Sequence, residues 1–559
     1  MGGETRRKKG MYTVIPAHND FWGLPSKPLS IYHTGPAWPL PTGPEGWRVP
    51  KEARPVCNHD IASVWHQLGS RIYQYFDSRE LKWTSIDPVC FAEERKEPGP
   101  LFLWVGVLPG TLSPSDAKNA AMRCKEILLE YEIVDVEIAF RESIFTRFAG
   151  GPGPTQLLLD HEGSSFDYND HKANVRGPFT PALGLQIAPK AFPYIEGTGC
   201  LYLCEGGGSD RVFLLTARHV VLPPSEYSNE LYSREGNGIP RHEIIHLGGK
   251  AFQNALAAIV YKIESNNFKI EGYYKHQLED LGPEAVEDEG ESEDAEITRA
   301  RKDLESMMSK AERARTSAQE LYHYVTSSLI RESERILGHV VYAPPISVGG
   351  TADSYFMEDW ALIELGREKF DWKVFRGNVI DIGTASLSDF MVKMYPGEKR
   401  SAKLRYPYDG LMQLRDFVKD GDLHRPAMFD GDGEPCIMVT KNGAGTGLTF
   451  GRSTGIESFV REYRDTGEDD DSNEYKIHST SREIPVYSYS YKDGAFSAPG
   501  DSGSVVADAN NRIVGMLIGG TGKDDATDVT YVTPYYLLDE RIKKVFPNSH
   551  LCPIVVSRR

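Results

Sequence analysis

Apolar and polar residues change their period several times along the chain, and each change predicts a different element. LFLWVGVL (101–108) is an uninterrupted apolar run, the pattern of a buried strand. SPSDAKNAAMRCKEILLEY (113–131) opens on Ser and Asp and then keeps apolar residues at helical spacing. VDVEIAF (134–140) alternates as a strand does. Strand, helix and strand make a β-α-β unit, so residues 56–148 read as a small α/β domain. Residues 1–55 are rich in Pro and Gly with scattered aromatics (GLPSKPLSIYHTGPAWPLPTGPEGW) and read as an extended arm. AGGPGPTQ and the polar stretch after it, 149–178, read as a linker.

From 179 to 545 the pattern is that of short strands separated by turn residues: GTGCLYLC (197–204), RVFLLTARHVV (211–221), WALIEL (360–365), CIMVTKNGAGTGLTFGRSTG (436–455), IPVYSYSY (484–491), SGSVVAD (502–508), RIVGMLIGG (512–520) and VTYVTPYYLL (529–538). Close-set short strands predict a sandwich or barrels. One segment departs from this. Ile297, Leu304, Ala311, Ala318 and Val325 recur as a heptad, interleaved with Ala300, Met307, Ala314 and Leu321. Phe252, Leu256, Ile259, Ile263, Ile270 and Tyr273 repeat more weakly before it. Together they predict an antiparallel helical hairpin over 252–337, its longer arm about 60 Å at 1.5 Å per residue. The alternative is a seam that recruits a protein partner or a second copy. DTGEDDDSNEYK (465–476) reads as an acidic loop, and 546–559 as a tail.

Composition narrows the classes. The net charge of −17 argues against nucleic acid and anionic membranes as partners. No run of 18 apolar residues predicts a membrane span. MGGETRRKKGMYTV has no apolar core of a secretory signal, and Arg6 stands where a myristoylation motif wants Ser or Thr. Its RRKK reads as a solvated tail. The seven cysteines are Cys57, Cys90, Cys124, Cys200, Cys204, Cys436 and Cys552, widely spaced and without a CxxC pair. Cys200 and Cys204 share one strand face and read as core. The expectation is a reduced, cytoplasmic protein, with the nucleus as the alternative address, and with no cofactor and no metal.

Candidate chemistry centres on FSAPGDSGSVV (496–506). A serine hydroxyl is a poor nucleophile unless a base takes its proton, an acid orients the base and donors receive the oxyanion. His219 ends the apolar strand VFLLTARHVV, and Asp359 directly precedes the alternating segment WALIEL. Taken together, LLTARHVV, DWALIEL and APGDSGSVV, in that order, resemble the chymotrypsin/trypsin-like serine protease family. The overall style, without disulfides, also resembles the trypsin-like domains found in intracellular fungal proteins. The resemblance covers roughly 180–545. It implies a mainly β fold: a chymotrypsin-like double antiparallel β-barrel, here carrying the inserted helical hairpin and preceded by the α/β domain. It implies His219 as general base, Asp359 as its orienting acid, Ser502 as nucleophile and the Gly500 and Ser502 amides as the oxyanion hole. It further implies Phe496 near the base of the primary pocket and Ile518, Gly519 and Gly520 as a substrate-pairing edge, with a protein or peptide as substrate. Two departures stand out. Val220 follows His219 where secreted members carry a cysteine. No cleavage site precedes an Ile-Val-Gly-Gly-like terminus, so Asp501 has no freed α-amino group to pair with. A catalytically silent binding or regulatory protein on the same fold is the competing reading, and an esterase a lesser one.

Overall fold

The computed structural model describes residues 21–28, 30–35, 50–94, 96–147, 175–234, 238–282, 295–349, 355–370, 372, 375–383, 385–396, 406–407, 410–464, 476–523 and 526–552. The basic start, most of the linker, the two acidic stretches and the end of the tail lie outside these residues. In the N-terminal part the strands are β1 (Ser30–His33), β2 (Lys51–Arg54), β3 (Trp83–Glu93), β4 (Leu101–Val107), β5 (Val136–Glu142) and β6 (Ile144–Thr146). The helices are α1 (Ile61–Ser78) and α2 (Pro114–Glu130). β4 and β5 pair in parallel across α2, the β-α-β unit that the periodicity predicts. Ser113 caps α2 by accepting the Asp116 N–H at 3.1 Å, and Pro114 takes the first helical position. Trp65, Leu68, Ile72 and Phe76 of α1 and Ala117, Cys124 and Leu128 of α2 share one apolar cluster with Leu103, Val105 and Ile138 of the sheet. Burial of each large side chain there stabilises the fold by about 1.5–3 kcal/mol.

The next strands are β7 (Gln186–Pro189), β8 (Leu201–Gly206), β9 (Ser209–Thr216), β10 (Glu243–His246), β11 (Ile336–Ala343) and β12 (Ala361–Leu365). Their antiparallel neighbours run β8-β9-β12-β11-β10-β7. The sheet curls into a half-barrel whose ends meet where the Gly199 N–H donates to Leu185 O at 2.8 Å. Then come β13 (Ile437–Gly443), β14 (Gly447–Ser453), β15 (Ser458–Arg464), β16 (Lys476–Ser488), β17 (Val505–Asp508), β18 (Arg512–Gly522) and β19 (Val529–Pro534). Leaving β15 aside, these close a ring: β14-β16-β19-β18-β17-β13 and back to β14. Numbered within its own set, each barrel has the order 2-3-6-5-4-1. Two six-strand units of one order, wound in tandem, make the chymotrypsin-like double barrel.

The N-terminal strands are not set apart from this. β15 pairs with β16 on one side and with β3 on the other, Phe459 facing Ile86, so the α/β sheet continues the wall of the second barrel. The seam sets a buried ion-pair network among apolar side chains. Arg141, fully buried, bonds Asp87 at 3.2 Å and Asp528 at 2.8 Å and stacks 3.4 Å from the Trp104 ring. A buried guanidinium is tolerated only when paired in this way.

The helical insertion is α3 (Gly249–Asn267), continued to Asp280, and α4 (Ala295–Ser328). Ala251, Phe252, Ala255 and Ile259 pack on Leu321 and Val325, while Ile270 and Tyr274 pack on Ala311, so the arms run antiparallel. At 34 residues α4 is about 51 Å long. It stops earlier than the pattern suggests because the first-barrel strand β11 begins at Ile336. No described helix is long and apolar enough to cross a membrane, and no metal-ligating cluster occurs among the described residues.

Candidate active site

β9 ends at Thr216, and a single helical turn, Arg218–Val221, carries His219 away from it. The buried Arg218 guanidinium fastens that turn to the carbonyls of Pro344, Ser228 and Glu230. Asp359 sits just ahead of β12, the neighbour of β9. It meets His219 twice. Its Oδ2 lies 2.7 Å from Nδ1, and its Oδ1 accepts the His219 backbone N–H at 3.1 Å. Burial pushes the Asp359 carboxyl up. The charges of His219 and Arg147 and the hydrogen bonds from His219 outweigh it and hold the group well below the usual carboxylate range. The other ring nitrogen, Nε2, is buried and has no hydrogen-bond partner among the described residues.

Ser502 belongs to the second barrel, in the turn before β17. Thr198 draws that turn against the first barrel: its N–H donates to Ser502 O at 2.9 Å and its hydroxyl to Gly500 O at 2.9 Å. Thr216, three residues before His219, donates its hydroxyl to Thr198 O at 2.7 Å, which links the two turns. Gly503 is required here. It holds φ +88°, and a Cβ would collide with Thr198 O. Gly500 takes φ +100°, also a glycine conformation. The Ser502 hydroxyl donates to Ile518 O at 3.1 Å rather than to His219. His219, Asp359 and Ser502 are all buried, at 1%, 1% and 0% exposure.

Phe496 lies in the apolar interior of the second barrel with Val486, Val506 and Leu517, and its carbonyl accepts the Thr449 hydroxyl at 2.8 Å. Ile518, Gly519 and Gly520 lie on β18. One edge of Gly519 and Gly520 pairs with Tyr531 and Thr530 of β19, and the other edge of Gly520 pairs with Thr146 of β6.

Two residues enter the site that the sequence motifs do not point to. Lys441 on β13 places its Nζ 3.1 Å from Asp501 Oδ2, both side chains fully buried. The rest of the Asp501 carboxylate is taken by the N–H groups of Gly445 (2.8 Å), Thr446 (3.1 Å) and Ala498 (3.0 Å) and by the Thr446 hydroxyl (2.7 Å). The Asp501 carboxylate is thus paired with an internal ammonium. Burial pulls the Lys441 ammonium down, and Asp501 opposes that pull. The signal was present in CIMVTK, where Lys441 falls on the inward face with Ile437 and Val439. Arg147, just past β6, donates to Asp359 Oδ2 at 2.9 Å and to Glu462 Oε2 at 2.7 Å. No motif announced it.

Neither protein-family models nor curated proteins gave a match to this chain. Among solved structures, a glutamic-acid-specific serine protease that uses a histidine triad in substrate binding is 11% identical. It covers 65% of this chain and 97% of its own, with a TM-score of 0.25. A serine-to-alanine mutant of the Rv3671c protein from M. tuberculosis, in its inactive form, is 11% identical over 73% of this chain and 99% of its own, at TM-score 0.22. The inactive Rv3671c protease is 12% identical over 65% and 87%, at TM-score 0.21. Overlap this small carries no argument, and the double barrel rests on strand order and pairing.

Proposed function

We propose that this chain is a serine endopeptidase in which Ser502 is the nucleophile, His219 the general base and then acid, and Asp359 the residue that fixes the imidazole. The observation that carries the reading is the pair of hydrogen bonds between His219 and Asp359, one from the backbone N–H and one at ring Nδ1. An ionised carboxylate against Nδ1 orients the ring and assigns that nitrogen the proton, which leaves Nε2 to accept one. In the reaction the Ser502 hydroxyl turns from Ile518 O to Nε2, loses its proton there and attacks the scissile carbonyl. The Gly500 and Ser502 N–H groups receive the oxyanion, a role in which one lost donor typically costs about 100- to 1000-fold in rate. His219 then protonates the leaving amine, and water releases the acyl group by the same steps in reverse. Lys441 and the loop 445–446 hold Asp501, and through it the turn that presents Ser502, so this turn is ordered without a cleaved N-terminus.

A second reading, a silent binding or regulatory protein, is favoured by one observation: the Ser502 hydroxyl is bonded to Ile518 O and the three side chains are covered. A fluorophosphonate probe separates the two. The expected result is an adduct on Ser502 in the wild type, accumulating slowly, and none on Ser502→Ala. Absence of any adduct on both the wild type and Arg147→Ala supports the silent protein.

A further inference from the structure

The stretch of the β18 edge that β17 does not cover begins beside the candidate nucleophile. β17 pairs with β18 as far as Met516, the Gly503 N–H donates to Leu517 O, and the next carbonyl, Ile518 O, receives the Ser502 hydroxyl. A peptide whose carbonyl is to meet Ser502 therefore has to add itself as a strand from Ile518 onward, by the main-chain pairing that sheet edges offer extended segments. That position is filled. β6 pairs antiparallel there, Ile144 with Gly522, Phe145 with Thr521 and Thr146 with Gly520, and runs toward Ser502. Gly519 admits it closely, since a Cβ there would come within 2.5 Å of Thr146 O and 3.1 Å of the Phe145 ring. Phe145 is buried against Tyr531, while Ile144 and Thr146 face outward. Arg147 then places its guanidinium on the same Asp359 oxygen that holds His219 Nδ1.

We propose, building on the endopeptidase reading, that Ile144–Arg147 is an intramolecular peptide ligand of this edge, so that the chain is latent toward other polypeptides until β6 leaves. The tether makes the occupation strong. Only Ser143 separates β6 from β5, and β5 is anchored by the buried Arg141 ion pairs. A short tether of this kind holds its ligand at an effective concentration of millimolar or more. Arg147 adds a direct effect, because a guanidinium on Asp359 draws on the negative charge that an imidazolium formed at His219 would need.

The test uses the full chain in a Ser502→Ala background, so that binding is read without turnover. Thr146→Pro removes an edge N–H at an exposed side chain, and a fluorescein-labelled hexapeptide of residues 143–148 (SIFTRF) is the probe, followed by anisotropy. The doubly substituted chain is expected to bind it at least tenfold more tightly than Ser502→Ala alone. Equal affinity overturns the proposal. Should Thr146→Pro fail to fold, Arg147→Ala replaces it, with a gain of several-fold expected and no gain overturning. Fluorophosphonate labelling of the same substitutions with Ser502 intact keeps the two readings apart. Tighter peptide binding without labelling upholds the ligand and removes the protease. Labelling at the wild-type rate with unchanged peptide binding upholds the protease and removes the ligand.

Discussion

Lys441 and Asp501 form an ion pair from which water is excluded on every side, and such pairs are asymmetric in energy. Forming one gains little over an apolar pair, while removing one partner strands the other and costs about 3–5 kcal/mol. Lys441→Met is expected to lower the unfolding free energy, read from a denaturant curve, by that amount and to abolish labelling of Ser502. Adding Asp501→Asn is expected to return much of the stability but not the labelling, because the turn keeps fewer of its bonds. Glu483 gives a pH signature. It is fully buried and accepts the Met357 N–H and the Thr533 hydroxyl, both at 2.9 Å, and burial pushes its carboxyl up to about 7. An unfolded glutamate titrates near 4.3, so between these values the folded chain keeps a proton the unfolded chain has lost. Stability from this group is therefore greatest below about pH 4 and declines as pH rises through 7, by roughly 4 kcal/mol in all. Melting temperature against pH is expected to show that decline in the wild type and to lose it in Glu483→Gln. At this scale the sequence is uneven. His219, Asp359 and Ser502 each sit in a local pattern that can be read in a few residues. Arg147 reaches Asp359 across 212 positions, and nothing local encodes that meeting.

Among the elements, alternation and heptads tell which face of a strand or helix turns inward but not what it meets. The helix pair is an instance. Its arms and their antiparallel sense follow from the spacing of Phe252, Ile259, Ala311 and Ala318, yet the end of α4 at Ser328 is set by where β11 must start. Ala318, 3% exposed, lets the arms approach. Ala318→Leu adds volume where none is free, which typically costs 1–3 kcal/mol. Hydrogen exchange is expected to quicken along α3 and α4, with amides of the Ser502 turn unchanged. Quickening at both places would mean that the hairpin and the site share one cooperative unit. The N-terminal strands are the opposite case. Their β-α-β unit is legible in three stretches of chain, but the pairing of β3 with β15 is not, because edge partners leave no mark on the period of either strand.

The molecule as a whole is closed by its C-terminal end. After β19, helix α5 (Tyr535–Val545) returns to the first barrel, where Phe546 packs 5.1 Å from Phe213, and β20 (His550–Leu551) pairs with β8. That pairing brings Cys204 and Cys552 to an Sγ–Sγ separation of 2.8 Å, both as thiols. The hydrogen bond from Cys552 lowers the Cys204 thiol below its usual range, which favours its ionisation over that of Cys552. Oxidised glutathione is expected to join the two, with the loss of two hydrogen masses, and to stabilise the chain by about 2–4 kcal/mol. Intact-mass measurement and a denaturant curve check this, with Cys552→Ser abolishing both effects. Cysteine spacing alone could not suggest the pair, since 348 positions lie between them.

The shared wall of β3 and β15 also sets a timetable. Pro88 waits for Tyr487, 399 positions further on, to donate to its carbonyl. At translation rates of 5–20 residues per second that delay is roughly 20–80 s. Through that interval the apolar edge around Ile86 emerges from the ribosome without its neighbour, the condition in which nascent chains recruit chaperones. When the second barrel finally closes, β6 has long been made and tethered beside it. On the endopeptidase reading, the edge next to Ser502 is filled as the barrel closes, and a newly finished chain is expected to be latent toward its neighbours until β6 leaves.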